Sequence, residues 1–294
     1  MKQITKWIPL LFFLWISACY QEVQPNADIP VVTSAVTGGP TSTPQTAPAT
    51  ATPTPIFSPA QALAAGPINI IAIGDDLTRG VGDDIGRGYP GRLIGLASQI
   101  RPGSTIVNFG RPGWTSNDIL TGKEQFSGQL ELAVDEVESA ISQRRAAVVL
   151  VWIGGNDLWE LYTGKTDVTV EMEERDALRF SRNIDTIVFE LRNAKAEVII
   201  AKLDDQSKRP AKTRSEAYPD ITNNELLRMS VQIQRYNEIV SETAAKYNAL
   251  TVDFYGSEIF TQPDTLSADG FHPNPTGYDL IAQTWYKTLI KILP

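Results

Sequence analysis

Five short apolar runs alternate with helical stretches from residue 68 to the end of this 294-residue chain. A parallel strand that helices cover on both faces is buried on both faces, so its sequence is a continuous apolar run. Strands that alternate with helices favour an α/β domain with a parallel sheet. The sequence therefore predicts a three-layer α/β/α sandwich with a five-stranded parallel sheet, whose strands are Ile68–Ile73, Thr105–Phe109, Ala147–Ile153, Glu197–Leu203 and Leu250–Phe254.

Five helices are predicted between and after these strands. In the third of them, Ile184, Ile187 and Leu191 repeat at helical spacing, which indicates that one face of the helix packs on the sheet. We expect the folded domain to span residues 67–294. The predicted helices are Tyr89–Ile100, Leu130–Gln143, Arg175–Asn193, Asn223–Asn248 and Thr276–Ile292.

The N-terminus is typical of a bacterial export signal. Lys2 and Lys6 flank the start of an apolar segment, Ile8–Ile16, that is shorter than the roughly 20 residues a membrane-spanning helix needs. The tetrapeptide Ile16-Ser17-Ala18-Cys19 closes this segment and resembles the lipobox. In that motif the cysteine is lipidated and becomes the first residue of the mature protein. We expect residues 1–18 to be a signal peptide and Cys19 to anchor an extracytoplasmic protein to a bacterial membrane.

Residues 19–66 are rich in Pro, Thr, Ala and Ser, and no Lys or Arg occurs between Lys6 and Arg79. Such a segment buries too little apolar surface to offset the entropy that ordering it would cost. It is predicted to be a disordered spacer between the anchor and the domain.

The charge pattern limits the partners. The formal net charge is −8, and the chain has no basic run or basic stripe of the kind that phosphate binding needs, so we do not expect nucleic acid to be the main partner. Asp75, Asp83 and Asp84 form an acidic cluster, but they lack the alternating oxygen ligands of a calcium loop. We therefore expect no metal and no cofactor.

Polar or glycine-rich turns follow the predicted strands. In open α/β sheets, ligands bind beyond the carboxyl ends of the strands, so these turns are expected to meet at one rim of the sheet. The last turn holds His272, the single histidine of the chain. The four turns are Gly74–Thr78, Asn108–Gly113, Gly154–Asp157 and Asp269–Pro273.

These four blocks, in this order, resemble the SGNH (GDSL) hydrolase family, whose members have a flavodoxin-like α/β/α sandwich. The resemblance runs from about Ile68 to the C-terminus. It implies that the backbone N–H of Gly113 and the side-chain amide of Asn156 form an oxyanion hole, and that Asp269 and His272 match the family's Asp-x-x-His block. It also implies an ancestral activity, the hydrolysis of an acyl or acetyl ester on a glycan or a lipid.

Asp76 departs from the family pattern, which has Gly-Asp-Ser-Leu where residues 74–77 read Gly-Asp-Asp-Leu. A carboxylate in the serine position has no proton to give to a histidine at neutral pH. If it attacked an ester carbonyl, it would form a mixed anhydride while expelling a far more basic alkoxide, so the intermediate would collapse backwards. Ordinary acyl-enzyme chemistry is therefore disfavoured.

Several interpretations of Asp76 stay open. In the first interpretation, the domain binds an acylated glycan, a lipid or another small ester without cleaving it. Alternatively, Asp76 works with His272, as a nucleophile at saturated carbon or as a general base toward water, or a nearby hydroxyl, Thr78 or Ser116, replaces the serine. Asp76 could also serve only as a helix N-cap. If Asp76, His272 and Asp269 form a chain beside an open, water-accessible pocket at Gly113 and Asn156, altered catalysis stays an open interpretation. A pocket sealed by side chains would favour an inert module.

Two further groups lie near the motif blocks. Trp114, Trp152 and Trp159 flank them, and tryptophan faces stack on sugars, although core packing is the commoner role. The segment Lys208–Lys212, after the fourth strand, is predicted to be a solvated loop.

Overall fold

The structure is a computed structural model that describes residues 57–58, 60, 62–163 and 167–293. The predicted signal peptide, Cys19 and most of the predicted spacer lie outside these residues. Within the described part of the chain, no helix combines the length and the apolar character that crossing a membrane requires.

A single sheet of five parallel strands forms the centre of the domain, and the predicted fold class is confirmed. Each strand matches its predicted bounds to within one residue. The strands are β1 (Ile68–Gly74), β2 (Thr105–Asn108), β3 (Ala146–Trp152), β4 (Glu197–Lys202) and β5 (Leu250–Asp253). Their order is β2-β1-β3-β4-β5, so β1 and β3 lie at the centre, and both end at the same rim of the sheet.

Helices cover the sheet, and β1 and β3 are buried at nearly every residue as a result. The helices are α1 (Asp76–Arg79), α2 (Gly88–Ile100), α3 (Ser116–Thr121), α4 (Gln129–Ser142), α5 (Gly155–Tyr162), α6 (Val170–Asn193), α7 (Asn223–Lys246) and α8 (Pro275–Leu289). Helix α2 packs against α8, while α6 packs against α4 and α7.

The five long helices are confirmed; α7 ends at Lys246 and α8 at Leu289, slightly before their predicted ends, and the largest difference is at the start of α6. It begins at Val170 instead of Arg175, because the side chain of Thr169 accepts a hydrogen bond from the N–H of Met172 and so caps the helix earlier. The short helices α1, α3 and α5 were not predicted. Each begins in one of the turns that follow β1, β2 and β3, and at these lengths no hydrophobic periodicity can build up.

An aromatic cluster fills the core beneath the rim. Trp152, the last residue of β3, stacks on Phe254 with ring centroids 4.2 Å apart, and Tyr89 stacks on Trp285 at 5.4 Å. Trp114 is buried as well, so two of the three tryptophans near the motif blocks are core residues. Only Trp159 of the three is partly exposed.

Contacts with the domain begin before the predicted boundary at residue 67. The Phe57 ring lies 5.7 Å from the Tyr247 ring, and the N–H of Leu63 donates to the carbonyl of Ile292 at 2.8 Å. Phe57 and Leu63 are apolar residues in an otherwise polar, proline-rich spacer. Their partial burial against the domain removes apolar surface from water, which favours an ordered end of the spacer.

Candidate active site

The end of β1 is held in place by a buried side chain. Gln129 makes two hydrogen bonds with the backbone of Gly74: its Nε2 donates to the carbonyl at 2.9 Å, and its Oε1 accepts from the N–H at 2.7 Å. Gly74 has a φ of 153°, and a Cβ there would lie 2.1 Å from the carbonyl oxygen of Trp152. Only glycine fits between β1 and β3 at this point, which fixes where the following residues lie.

Asp75 and Asp76 follow directly and face different surroundings. Asp75 is buried and caps α1, because its carboxylate accepts from the N–H of Leu77 at 3.2 Å. The capping role left open for Asp76 therefore belongs to Asp75. Burial, together with the charge of Asp76, raises the pKa of Asp75 well above its usual value.

The carboxylate of Asp76 occupies the predicted oxyanion hole. Its Oδ2 accepts the backbone N–H of Gly113 at 2.9 Å and the side-chain amide of Asn156 at 2.9 Å. Gly113 has a φ of 71°, in the left-handed region that favours glycine. Asn156, the second residue of α5, also donates to the carbonyl of Trp114 at 3.1 Å, which fixes its amide. One carboxylate oxygen thus lies where two N–H donors converge.

Asp157, which the sequence did not single out, ties the two donor segments together. Its Oδ2 accepts the N–H of Ser116 at 2.8 Å, and its Oδ1 accepts the Ser116 hydroxyl at 2.5 Å. Burial raises the pKa of Asp157 to about 6 despite these two hydrogen bonds. Because Asp157 follows Asn156 and Ser116 lies three residues after Gly113, this contact sets the spacing of the two donors.

The same contacts exclude the alternative in which another hydroxyl acts as the nucleophile. Ser116 is fully buried and is bonded to Asp157 and Asn183. Thr78 is also fully buried, with its hydroxyl 3.3 Å from that of Tyr89. Neither side chain lines the pocket.

His272 and Asp269 form the predicted pair. The Nδ1 of His272 lies 2.7 Å from Oδ2 of Asp269, whose Oδ1 accepts the backbone N–H groups of Phe271 and His272 at 2.8 and 2.9 Å. Burial alone would raise the pKa of Asp269, but the hydrogen bonds led by that from His272 lower it to about 2. The Nε2 of His272 faces Asp76 and lies 3.7 Å from its Oδ1, too far for a direct hydrogen bond.

Asp76 is therefore a strongly stabilised carboxylate. Burial alone would raise its pKa, but the interactions with His272, Asn156 and Gly113 outweigh burial and lower the pKa to about 2. A carboxyl whose pKa is lower in the folded state stabilises the fold above its ordinary pKa. This stabilisation is lost as the pH falls through the folded-state value, which here places the loss between about pH 4 and pH 2.

The pocket beside these residues is open to solvent and measures about 350 Å³. The polar groups described above that line it follow β1, β2 or β3 or lie in the segment before α8. A wall of partly exposed aromatic side chains, formed by Trp159, Tyr218 and Phe271, borders the cavity. The five predicted site residues are brought together, and four of them line this cavity: Asp76, Gly113, Asn156 and His272.

The prediction of a solvated loop at Lys208–Lys212 is wrong for its two buried charged residues, Arg209 and Lys212, and for the buried Ala211. Arg209 is buried and pairs with Asp204 through two hydrogen bonds of 2.7 and 2.8 Å. Its guanidinium also donates to the carbonyl of Phe271, the residue before His272, at 3.1 Å. The segment after β4 thus holds the histidine turn, and no pattern in the sequence marks a buried ion pair of this kind.

Lys212 is the second exception. Its side chain is buried, its Nζ has no hydrogen-bond partner among the residues that the structure describes, and it lies 3.2 Å from the centre of the Trp159 ring. Burial lowers the pKa of Lys212 well below its usual value. Lys212 therefore supports the aromatic wall of the pocket at a cost in stability, because a buried amine without a partner is unfavourable.

The acidic cluster has a structural role. Asp83 pairs with Arg92 at 2.6 Å and accepts the N–H of Gly88 at 2.7 Å, which orders the turn before α2. Among the residues that the structure describes, no three His, Cys, Asp or Glu side chains are grouped as a metal site would need.

Replacing Lys212 with Met tests its buried, unpaired state. Methionine keeps most of the volume and removes the desolvated amine, so we expect Lys212→Met to raise the free energy of unfolding by about 1 kcal/mol in urea titrations. The control is Lys208→Met, at an exposed side chain, which should change stability by less than about 0.5 kcal/mol. A loss of stability in Lys212→Met alone would show that the contact with Trp159 outweighs the cost of burial.

Two solved structures with similar folds are named as a lipase and an acetyl xylan esterase. The lipase Lip_vut3 from a goat rumen metagenome has 19% identity and a TM-score of 0.55, covering 75% of this chain and 97% of its own. A variant of the acetyl xylan esterase Axe2 from Geobacillus stearothermophilus has 20% identity and a TM-score of 0.51, covering 76% of this chain and 96% of its own. At these identities, the likeness shows the fold.

Sequence comparison adds the family. The chain is 28% identical over 233 residues to the uncharacterized protein YpmR of Bacillus subtilis. The aligned region covers 76% of this chain and 82% of that protein. The sequence model of the GDSL-like lipase/acylhydrolase family matches residues 72–280, which include all five residues of the predicted site. This chain belongs to the GDSL-like lipase/acylhydrolase family.

Proposed function

We propose that this chain is a lipid-anchored protein of the bacterial cell envelope whose pocket binds an acylated glycan, a lipid or another small ester without cleaving it through an acyl-enzyme. Asp76 stands in the position of the family's serine. The observation that carries the proposal is that Asp76 Oδ2 accepts both N–H donors of the oxyanion hole.

Ester hydrolysis through an acyl-enzyme needs two things that this arrangement removes. The nucleophile must give its proton to the histidine, and the carbonyl oxygen must enter the hole as charge develops on it. Here residue 76 is an ionised carboxylate with no proton to give, and its own oxygen fills the hole. A bound ester carbonyl would have to displace a charge-assisted hydrogen-bonded group before it could be polarised.

The rest of the site supports an ester ligand. The pocket is open, the Asp269–His272 pair keeps its hydrogen bond, and both donors of the hole keep their geometry. The similar structures are named as a lipase and an acetyl xylan esterase, and both names imply ester substrates. A partly apolar, aromatic cavity of about 350 Å³ suits a small acyl group together with one sugar ring or a short chain.

The exchange Asp76→Ser tests the proposal. We expect the full chain to be inactive toward 4-nitrophenyl acetate, and Asp76→Ser to hydrolyse it at least about 1000-fold faster, since a triad nucleophile contributes far more than that to a serine hydrolase. The measurement is the release of 4-nitrophenolate above the rate in buffer.

The matched controls separate a restored site from a non-specific effect. Asp76→Ala should remain inactive, and adding His272→Ala to Asp76→Ser should remove the gain. Ester hydrolysis by the unaltered chain that both Asp76→Ala and His272→Ala abolish would contradict the proposal, because Asp76 would then perform the hydrolysis itself.

The lipid anchor rests on the sequence at Cys19 and has a separate test. Expressed in a bacterium that is fed an alkyne-labelled fatty acid, the full chain should take up the label and sediment with membranes. Cys19→Ser should do neither, because it removes the thiol that is lipidated. A labelled, membrane-bound Cys19→Ser variant would contradict the anchor.

A further inference from the structure

The two oxygens of Asp76 have different surroundings, which suggests chemistry other than ester cleavage. Oδ2 is held by the N–H donors of Gly113 and Asn156, while Oδ1 makes no hydrogen bond within the described residues. Oδ1 lies 3.7 Å from Nε2 of His272. The free oxygen is therefore beside the histidine, in a carboxylate that lines the open pocket.

From this geometry we propose that Asp76 is a nucleophile toward saturated carbon, and that the site hydrolyses alkyl electrophiles through an ester formed on Asp76 Oδ1. The substrate class is a small molecule with a good leaving group, such as a halide, on an sp³ carbon. The proposal goes beyond the proposed function and shares with it only the requirement that the pocket admits a ligand.

The first step forms an alkyl ester on the protein. A lone pair on Oδ1 attacks the carbon, the O–C bond forms as the bond from carbon to the leaving group breaks, and the electron pair departs with the leaving group as an anion. Attack at saturated carbon avoids the problem met with ester substrates, because the product is an ordinary ester instead of a mixed anhydride.

The second step uses the hole and the Asp–His pair. His272 Nε2 takes a proton from a water molecule, the water oxygen bonds to Cγ of Asp76, and the carbonyl electron pair moves onto Oδ2. That oxyanion already faces the N–H groups of Gly113 and Asn156, which stabilise it without moving. Asp269 Oδ2, 2.7 Å from Nδ1, stabilises the imidazolium that forms.

Collapse of this intermediate completes the balance. The electron pair on Oδ2 re-forms the carbonyl as the bond between Cγ and Oδ1 breaks, and the alkoxide carries Oδ1 away, takes the proton from His272 and leaves as the alcohol. Asp76 is left as a carboxylic acid that holds the oxygen from water, and it then releases its proton to the solvent. The sum is one alkyl halide and one water giving one alcohol, one halide ion and one proton. Asp76 is a carboxylate again, with one of its oxygens derived from water, so each turnover labels the protein itself.

Benzyl bromide is the probe, since its single ring is small compared with the cavity of about 350 Å³ and suits the aromatic wall. The full chain is incubated with it in water enriched in heavy oxygen, and the peptide that contains residue 76 is examined by mass spectrometry. We expect release of benzyl alcohol above the rate in buffer and heavy oxygen in the Asp76 carboxylate. His272→Ala should stop after the first step and carry a benzyl ester on Asp76.

Two controls make the result specific. Asp76→Asn should show neither label nor ester at residue 76. Asp84→Asn, at an exposed carboxyl outside the pocket, should behave like the unaltered chain. If the unaltered chain gains no heavy oxygen at Asp76 and His272→Ala gains no benzyl ester, the inference is wrong. An active Asp76→Ser esterase combined with that result would leave the proposed function standing and remove only this further activity.

Discussion

The hydrogen bonds that Asp76 Oδ2 accepts from Gly113 and Asn156 join three separate turns of the chain. They place one oxygen of residue 76 between the two donors of the proposed oxyanion hole. In a serine hydrolase, N–H donors of this kind stabilise a negative charge that develops on the substrate oxygen only during the reaction. Here they face a permanent charge on Asp76, and the interactions with His272, Asn156 and Gly113 outweigh burial and lower the pKa of Asp76 to about 2.

This arrangement depends on how the sheet presents its rim. Gly74 lets β1 end against β3, Gln129 clamps that end, and Asp157 ties the start of α5 to the start of α3. The turn that contains His272 is held by Arg209, which pairs with the buried Asp204 and donates to the carbonyl of Phe271. Because each tether is buried and lies outside the reacting groups, exchanging one side chain at position 76 leaves the donors and the Asp–His pair in place.

Much of this could be predicted from the sequence. The strands were predictable because both faces of a parallel strand are buried, which leaves an unbroken apolar run such as Ile68–Ile73. The five residues could be predicted as one candidate site because each lies in a short block that follows a strand or precedes α8. Asp157, Arg209 and Lys212 were missed for one shared reason. Each of these buried polar residues makes a contact far along the chain that nothing in its local sequence marks: Asp157 bonds to Ser116, Arg209 donates to the carbonyl of Phe271, and Lys212 lies against Trp159.

The central claim is that Asp76 is an ionised group bonded in the oxyanion hole, and a titration followed by carbon NMR of its carboxyl tests it most directly. The account predicts a midpoint at about pH 2, an amide proton of Gly113 that shifts with the same midpoint, and a higher midpoint in Asn156→Ala. Stability in urea should fall over the same interval, from about pH 4 to pH 2, and fall less in Asp76→Asn. A midpoint at the ordinary aspartate value, with no response from Gly113, would show that the carboxylate lies outside the hole and would contradict the account.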